Sequence, residues 1–201
     1  MIGILGGTFD PPHLAHLKIA EYLLNTLPLE KIIFIPCYLP VLKQSPHASP
    51  EHRLAMVNLM IEHNPKLQLD DREIKNAQPS YTIDTLKSIY QETAYNTPFV
   101  FIMGSDAFNQ FLDWKDWKGI LELCHIIVVN RAGQELNKKL INAGNGKVLV
   151  YDFPTMDIAS REVREEITRD IELVKDKLPI KVWDYIKKNA LYKNIKNDCK
   201  A

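Results

Sequence analysis

An α/β fold, with a mainly parallel sheet doubly wound by helices on both faces, is what this sequence of 201 residues predicts, and three observations carry the prediction. Short runs rich in Ile, Val and Phe recur along the chain and are apolar on both alternating faces, as buried parallel strands are. Amphipathic stretches of helical period separate them. The unusual residues of the chain follow directly after the runs, at the strand ends where such sheets hold ligands. The alternation is that of a Rossmann-like sheet.

The elements follow in order. Met1 to Leu5 is the first strand, and a helical pattern runs from His13 to Thr26. Lys31 to Pro36 is the second strand, followed by a helix over Pro50 to His63 and a short strand candidate at Leu67 to Leu69. Thr82 to Gln91 reads as helix, Phe99 to Met103 as strand, Trp114 to Leu123 as helix and His125 to Asn130 as strand. Gln134 to Gly146 is polar and reads as a surface excursion before the last strand, Lys147 to Tyr151. Helices over Ser160 to Thr168 and Ile180 to Asn189 close the chain, and residues 192–201 are expected to fray. No repeat, low-complexity segment or linker divides the sequence, so residues 1–201 are expected to form one domain.

Composition narrows the function classes. Hydrophobic residues make up 46 % and charged residues 25 %, as in ordinary globular proteins. The 25 basic side chains balance 25 acidic ones, which argues against a general nucleic-acid surface. Cys37, Cys124 and Cys199 form no C-x-x-C pair, so neither a disulfide framework nor a thiolate zinc site is indicated, and a reducing cytoplasm fits. No apolar run approaches the ~20 residues of a membrane span, and the N-terminus lacks the basic start of a signal peptide.

Four junctions carry the chemistry. After the first strand, Gly6 and Gly7 are expected to turn the backbone tightly and let a ligand approach. Thr8 adds a hydroxyl, and Pro11 and Pro12 stiffen the entry to the helix. His13 and His16 share one helix face in the first turn, where backbone N–H groups and the dipole favour an anion. Together these residues suit a polyphosphate. A zinc reading of the two histidines needs a third ligand, and none is obvious nearby. The segment matches neither the P-loop pattern nor G-x-G-x-x-G. After the last strand, Ser160 suits a helix cap and Arg164 lies one turn on, so cap, N–H groups and guanidinium would grip a phosphate together. Read alone, this segment is also explained by a capped, solvated helix with an Arg161–Glu165 pair.

GGTFDPPHLAH resembles the G-T-F-D-P-x-H-x-G-H signature of the nucleotidylyltransferase superfamily, with Ala15 in place of the Gly between the histidines. Ile158 to Arg164 is similar to that superfamily's I-S-S-T-x-I-R motif, with Ala159 and Arg161 replacing the first Ser and the Thr. Gln78 to Leu86, Gly104 to Asp106 with Trp114, and Asn130 to Gly133 resemble, in order and spacing, the bacterial nicotinate-nucleotide adenylyltransferases. Val41-Leu42-Lys43 stands where that branch has P-H-K.

The resemblance implies transfer of AMP from ATP to nicotinate mononucleotide, giving nicotinic acid adenine dinucleotide and pyrophosphate. It implies His13, His16 and Arg164 as catalytic. Gly6, Gly7, Thr8, Phe9, Lys43, Asp106, Arg131 and Ser160 would bind ATP, and Thr82, Thr85 and Trp114 would bind the acceptor. Read without it, a Trp at the helical spacing of Trp114 and Trp117 is more often a core residue, and Asp106 is equally a helix cap. Mg²⁺ is expected on the ATP phosphates, with no protein metal site. The expected partners are ATP and nicotinate mononucleotide, not nucleic acid or membrane, and a homo-oligomer is compatible with the reading. The alternatives are a relative using nicotinamide mononucleotide or phosphopantetheine, and a non-catalytic nucleotide sensor. A class I synthetase-like activating domain would need RNA-binding additions for which the chain has little room.

Overall fold

A strand with both faces apolar must be covered on both sides, and here the alternation of side chains divides the core in two. The structure, a computed structural model, describes residues 1–42, 44–92, 97–131, 135–153, 156, 158–193 and 195. Its strands are β1 (Ile2–Gly7), β2 (Lys31–Pro36), β3 (Leu39–Pro40), β4 (Leu67–Leu69), β5 (Pro79–Ser80), β6 (Phe99–Gly104), β7 (His125–Arg131) and β8 (Val148–Phe153). Its helices are α1 (Leu14–Thr26), α2 (Pro50–Ile61), α3 (Arg72–Asn76), α4 (Thr82–Glu92), α5 (Ser105–Asn109), α6 (Trp117–Leu123), α7 (Lys138–Ala143), α8 (Ser160–Arg169) and α9 (Ile180–Lys188).

Six strands form one sheet in the order β4-β2-β1-β6-β7-β8, every pairing parallel. The chain winds outward in one direction from β1 and in the other from β6, so the direction reverses between those two strands. That is where a doubly wound sheet opens a crevice at its carboxyl edge. Leu5, Phe34, Ile102 and Val129 face one side, packed with α1, α2, α8 and α9. Their neighbours Ile4, Ile35, Phe101 and Val128 face the other, packed with α4, α6 and α7. Burying each such side chain contributes roughly 1.5–3 kcal/mol. The expected doubly wound sheet is the one observed, and β3 pairs with β5 as a small second sheet.

Several local expectations are corrected. The predicted helix from Trp114 starts at Trp117, where Asp116, at φ 49°, accepts the Gly119 N–H at 3.1 Å. Trp114 stays extended; its spacing from Trp117 mimics a helical stripe because both rings pack on Phe111. The polar excursion contains α7, capped by Asn137, whose side chain accepts the Lys139 N–H. Ser160 is not the cap of α8: Ala159 occupies that position, and the Ser160 hydroxyl donates to the Pro11 carbonyl at 2.9 Å. Tyr192, the first residue of the expected frayed tail, is itself buried, and its hydroxyl donates to Asp10 at 2.8 Å.

Candidate active site

The crevice at the β1/β6 reversal is a cleft of about 640 Å³. Gly6, Gly7, Thr8, Phe9, His16, Asp106, Ser160 and Arg164 line it, as do Thr82, Thr85 and Trp114. Eleven sequence-predicted residues thus meet in one space. Because α1 and α8 pack on one face of the sheet and α4 and Trp114 on the other, the cleft straddles the sheet edge. One wall carries His16, Ser160 and Arg164, and the opposite wall carries Thr82, Thr85 and Trp114. Lys43, Ala132 and Gly133 lie outside the described residues, and the Arg131 side chain is likewise not described, although its backbone ends β7.

The glycine loop works differently from expectation. Neither Gly6 nor Gly7 takes a left-handed turn; Phe9 does, at φ 51°. A Cβ on Gly7 would meet the Phe9 ring at 2.9–3.1 Å, so that glycine makes room for the ring. Phe9 packs against Phe34 and sets its ring edgewise to His16, with centroids 5.0 Å apart.

His13 is the N-cap of α1 rather than its first residue, and His16 stands at the third helical position. The His16 Nδ1 accepts the His13 backbone N–H at 3.2 Å, as the third helical residue of a capping box does. With Nδ1 accepting that bond, the neutral His16 ring carries its proton on Nε2. The two rings stack with centroids 3.8 Å apart. His16 reaches the cleft wall, whereas His13 is 2 % exposed and stands behind it.

Arg164 is mostly buried. Its Nη1 donates to the Asp10 carbonyl at 2.6 Å and lies 3.8 Å from Asp10 Oδ2. Arg161 pairs with Glu165 at 2.9 Å on the exposed face of α8 while also lining the cleft. Asp106 lies in the first turn of α5, whose N-cap is Gly104.

On the opposite wall, Thr85 donates its hydroxyl to Glu73 at 2.6 Å. Burial pushes the Glu73 carboxyl above its ordinary range, opposed by hydrogen bonds from Thr85 and Ser80. Trp114 packs against Phe101 and Phe111, with centroids 5.9 and 5.6 Å away, and also lines the cleft. Lys115 lies over the Tyr81 ring at 4.4 Å and pairs with Asp84.

Four site residues escaped the sequence reading. Arg53 is fully buried and donates to the carbonyls of Thr8, Cys37, Tyr38 and Ala48, tying the first two strand-end loops together. A lone Arg on the stripe shared with Met56, Val57 and Met60 was the available signal. Asp10 and Glu73 make contacts distant in sequence and left no local sign. Asn130 lines the cleft, gives Nδ2–H to Asp152, and has a buried Oδ1 without a partner among the described residues.

Comparison with known proteins gives the family and the fold. Residues 4–166 match the family model for cytidylyltransferase-like proteins. A probable nicotinate-nucleotide adenylyltransferase of Psychromonas ingrahamii is 39 % identical, over 96 % of this chain and 97 % of that protein. One of Listeria innocua is 41 % identical, over 95 % and 96 %. Among solved structures, the Plasmodium falciparum nicotinic acid mononucleotide adenylyltransferase complexed with NaAD superposes with a TM-score of 0.83. It shares 25 % identity over 97 % of this chain and 98 % of that one. Parallel sheet, straddling cleft, the two end motifs and relatives alike along nearly the whole length lead to one conclusion: the chain belongs to the cytidylyltransferase-like family, among the nicotinate-nucleotide adenylyltransferases.

Proposed function

We propose that the chain transfers the adenylyl group of ATP to nicotinate mononucleotide in the biosynthesis of NAD. The observation that carries this reading is the division of one cleft into a cationic wall and an aromatic wall across the sheet edge. An oxygen of the mononucleotide phosphate forms a bond to the α-phosphorus of ATP. The bond from that phosphorus to the bridging oxygen breaks, and pyrophosphate leaves with the electron pair. Both reactants are anions, so alignment and charge stabilisation supply the catalysis and no covalent nucleophile is needed.

His16 donates its Nε2–H to the α-phosphate as charge builds, and His13 holds that ring by stacking and by its backbone N–H. Arg164 holds the departing phosphates. Since the Ser160 hydroxyl is engaged with Pro11, its contribution is the free backbone N–H at the start of α8. Thr8 and the amides of Gly6, Gly7 and Phe9 face the phosphates, with Asp106 near the ribose. Lys43 and Arg131 keep the ATP-side roles that the resemblance implies. Trp114 stacks on the pyridine ring, flanked by Thr82 and Thr85.

Mg²⁺ fits as an ion carried by the nucleotide. Among the described residues no group of three or more His, Cys, Asp or Glu is placed to hold a metal; in this reading the nucleotide phosphates would be its main ligands. Bound there, it would neutralise phosphate charge. The reading includes a cytoplasmic setting and leaves room for a homo-oligomer; no helix among the described residues is long and apolar enough to cross a membrane. The test is the product: incubation with ATP, Mg²⁺ and nicotinate mononucleotide should release pyrophosphate and form nicotinic acid adenine dinucleotide in equal amounts. ATP binding without either product would turn the reading into that of a nucleotide sensor.

A further inference from the structure

Asp10 sits under the phosphate wall, 3 % exposed, and gathers three distant parts of the chain. Its Oδ2 accepts the His47 N–H at 2.8 Å. Its Oδ1 accepts the Ala48 N–H at 3.0 Å and the Tyr192 hydroxyl at 2.8 Å. Arg164 completes the group, donating to the Asp10 carbonyl at 2.6 Å and standing 3.8 Å from Oδ2. Tyr192 arrives from beyond the end of α9, 182 residues along the chain, and is 6 % exposed.

Two features show that the docking of Tyr192 is specific. Ala190 and Tyr192 itself take left-handed backbone conformations, at φ 51° and 65°, which non-glycine residues keep where surrounding contacts hold them. Burial and the neighbouring Asp10 also push the ionisation of the phenol well above its usual range, so its hydroxyl remains a donor at working pH.

We infer that Tyr192 is a positioning residue for adenylyl transfer: its hydroxyl holds the Asp10 carboxylate, which in turn orients Arg164 and the His47 wall of the cleft. Tyr192 is thereby part of the phosphate site. This rests on the reading of Arg164 as a phosphate ligand. An Asp10 that lost one donor would be free to draw the guanidinium of Arg164 further onto itself, away from the phosphates.

Tyr192→Phe keeps the ring and removes the hydroxyl. On the full chain, Mg²⁺-ATP binding is measured by calorimetry, alongside pyrophosphate release and melting temperature. ATP affinity and kcat/KM for ATP should fall on the order of tenfold, the loss of one hydrogen bond to a charged group, while KM for the mononucleotide stays unchanged. In an Arg164→Ala background the same substitution should cost less than about twofold, because coupled residues are non-additive. Unchanged ATP affinity in Tyr192→Phe overturns the inference, as does full additivity with Arg164→Ala. So does a lowered melting temperature with normal affinity, which would make Tyr192 purely structural. An Arg164→Ala chain that binds ATP normally removes the inference together with its premise. A wild-type chain that binds ATP but releases no pyrophosphate rejects the proposed function alone, and the binding measurements still decide on Tyr192.

Discussion

Arg53→Met should unfold the chain at a markedly lower temperature, and the size of the effect can be worked from four distances. The Arg53 side chain is 0 % exposed. Its Nη1 donates to Thr8 and Cys37 carbonyls at 2.8 and 2.6 Å, Nη2 to Tyr38 at 2.8 Å, and Nε to Ala48 at a longer 3.3 Å. Methionine fills similar space but leaves three well-bonded carbonyls without their donor. A hydrogen bond from a charged group is worth ~1.5–3 kcal/mol. Removing a buried charge also removes its desolvation cost, which offsets part of the loss. About 1 kcal/mol per carbonyl is therefore a fair net figure, or about 3 kcal/mol in all. For a chain of this size that corresponds to a melting temperature lower by roughly 6–12 °C. Scanning calorimetry on the two proteins measures it directly. A fall of under about 2 °C would refute the reasoning, showing that water from the cleft satisfies the carbonyls as well as the guanidinium does.

Four further outcomes follow from the site. His16→Ala should lower turnover by roughly 10²–10³-fold, the usual cost of one transition-state donor, and near-normal pyrophosphate release would reject its role. Trp114→Ala should raise KM for the mononucleotide about tenfold through lost stacking, while calorimetry shows ATP binding intact. Glu73 is raised above the ordinary 4.5 by burial, so the folded chain holds its proton more tightly than the unfolded one. Stability contributed by the neutral form is then present at low pH and lost as pH rises from about 4.5 through the folded value. Melting temperatures of Glu73→Gln should decline less over that window than those of the wild type; parallel curves would argue against it. Burial pushes the Cys124 thiol up to about 12, whereas Cys37 lines the cleft. Mass spectrometry after mild alkylation should find Cys37 modified, Cys124 unmodified and Mg²⁺-ATP protective, and equal labelling of the two would contradict the placement.

The strands were legible because a parallel strand buried on both faces is apolar on both, and Lys31–Pro36 and Phe99–Gly104 occur where that pattern puts them. The meeting of the end motifs was legible too, since ligands of a doubly wound sheet gather at the strand carboxyl ends. Finer placement was not. Spacing alone put His13 and His16 on one helix face, but only the cap geometry of α1 shows that His13 stands behind His16. Ser160 has the chemistry of a cap, yet the Pro11 carbonyl takes its hydroxyl, a contact between opposite ends of the chain. Asp10 is similar: its donors come from residues 47, 48 and 192, and periodicity carries no information about such separations. Trp114 illustrates the reverse error, an aromatic pair at helical spacing whose regularity comes from a shared partner, Phe111.

Side-by-side turnover decides which acceptor the aromatic wall receives. Pyrophosphate release from Mg²⁺-ATP should be compared with nicotinate mononucleotide, nicotinamide mononucleotide and phosphopantetheine at equal concentrations. The kcat/KM for nicotinate mononucleotide should lie well above the other two. Preference for either of the others would keep the ATP wall and contradict the assignment of Thr82, Thr85 and Trp114, while no release with any acceptor would contradict the enzyme itself.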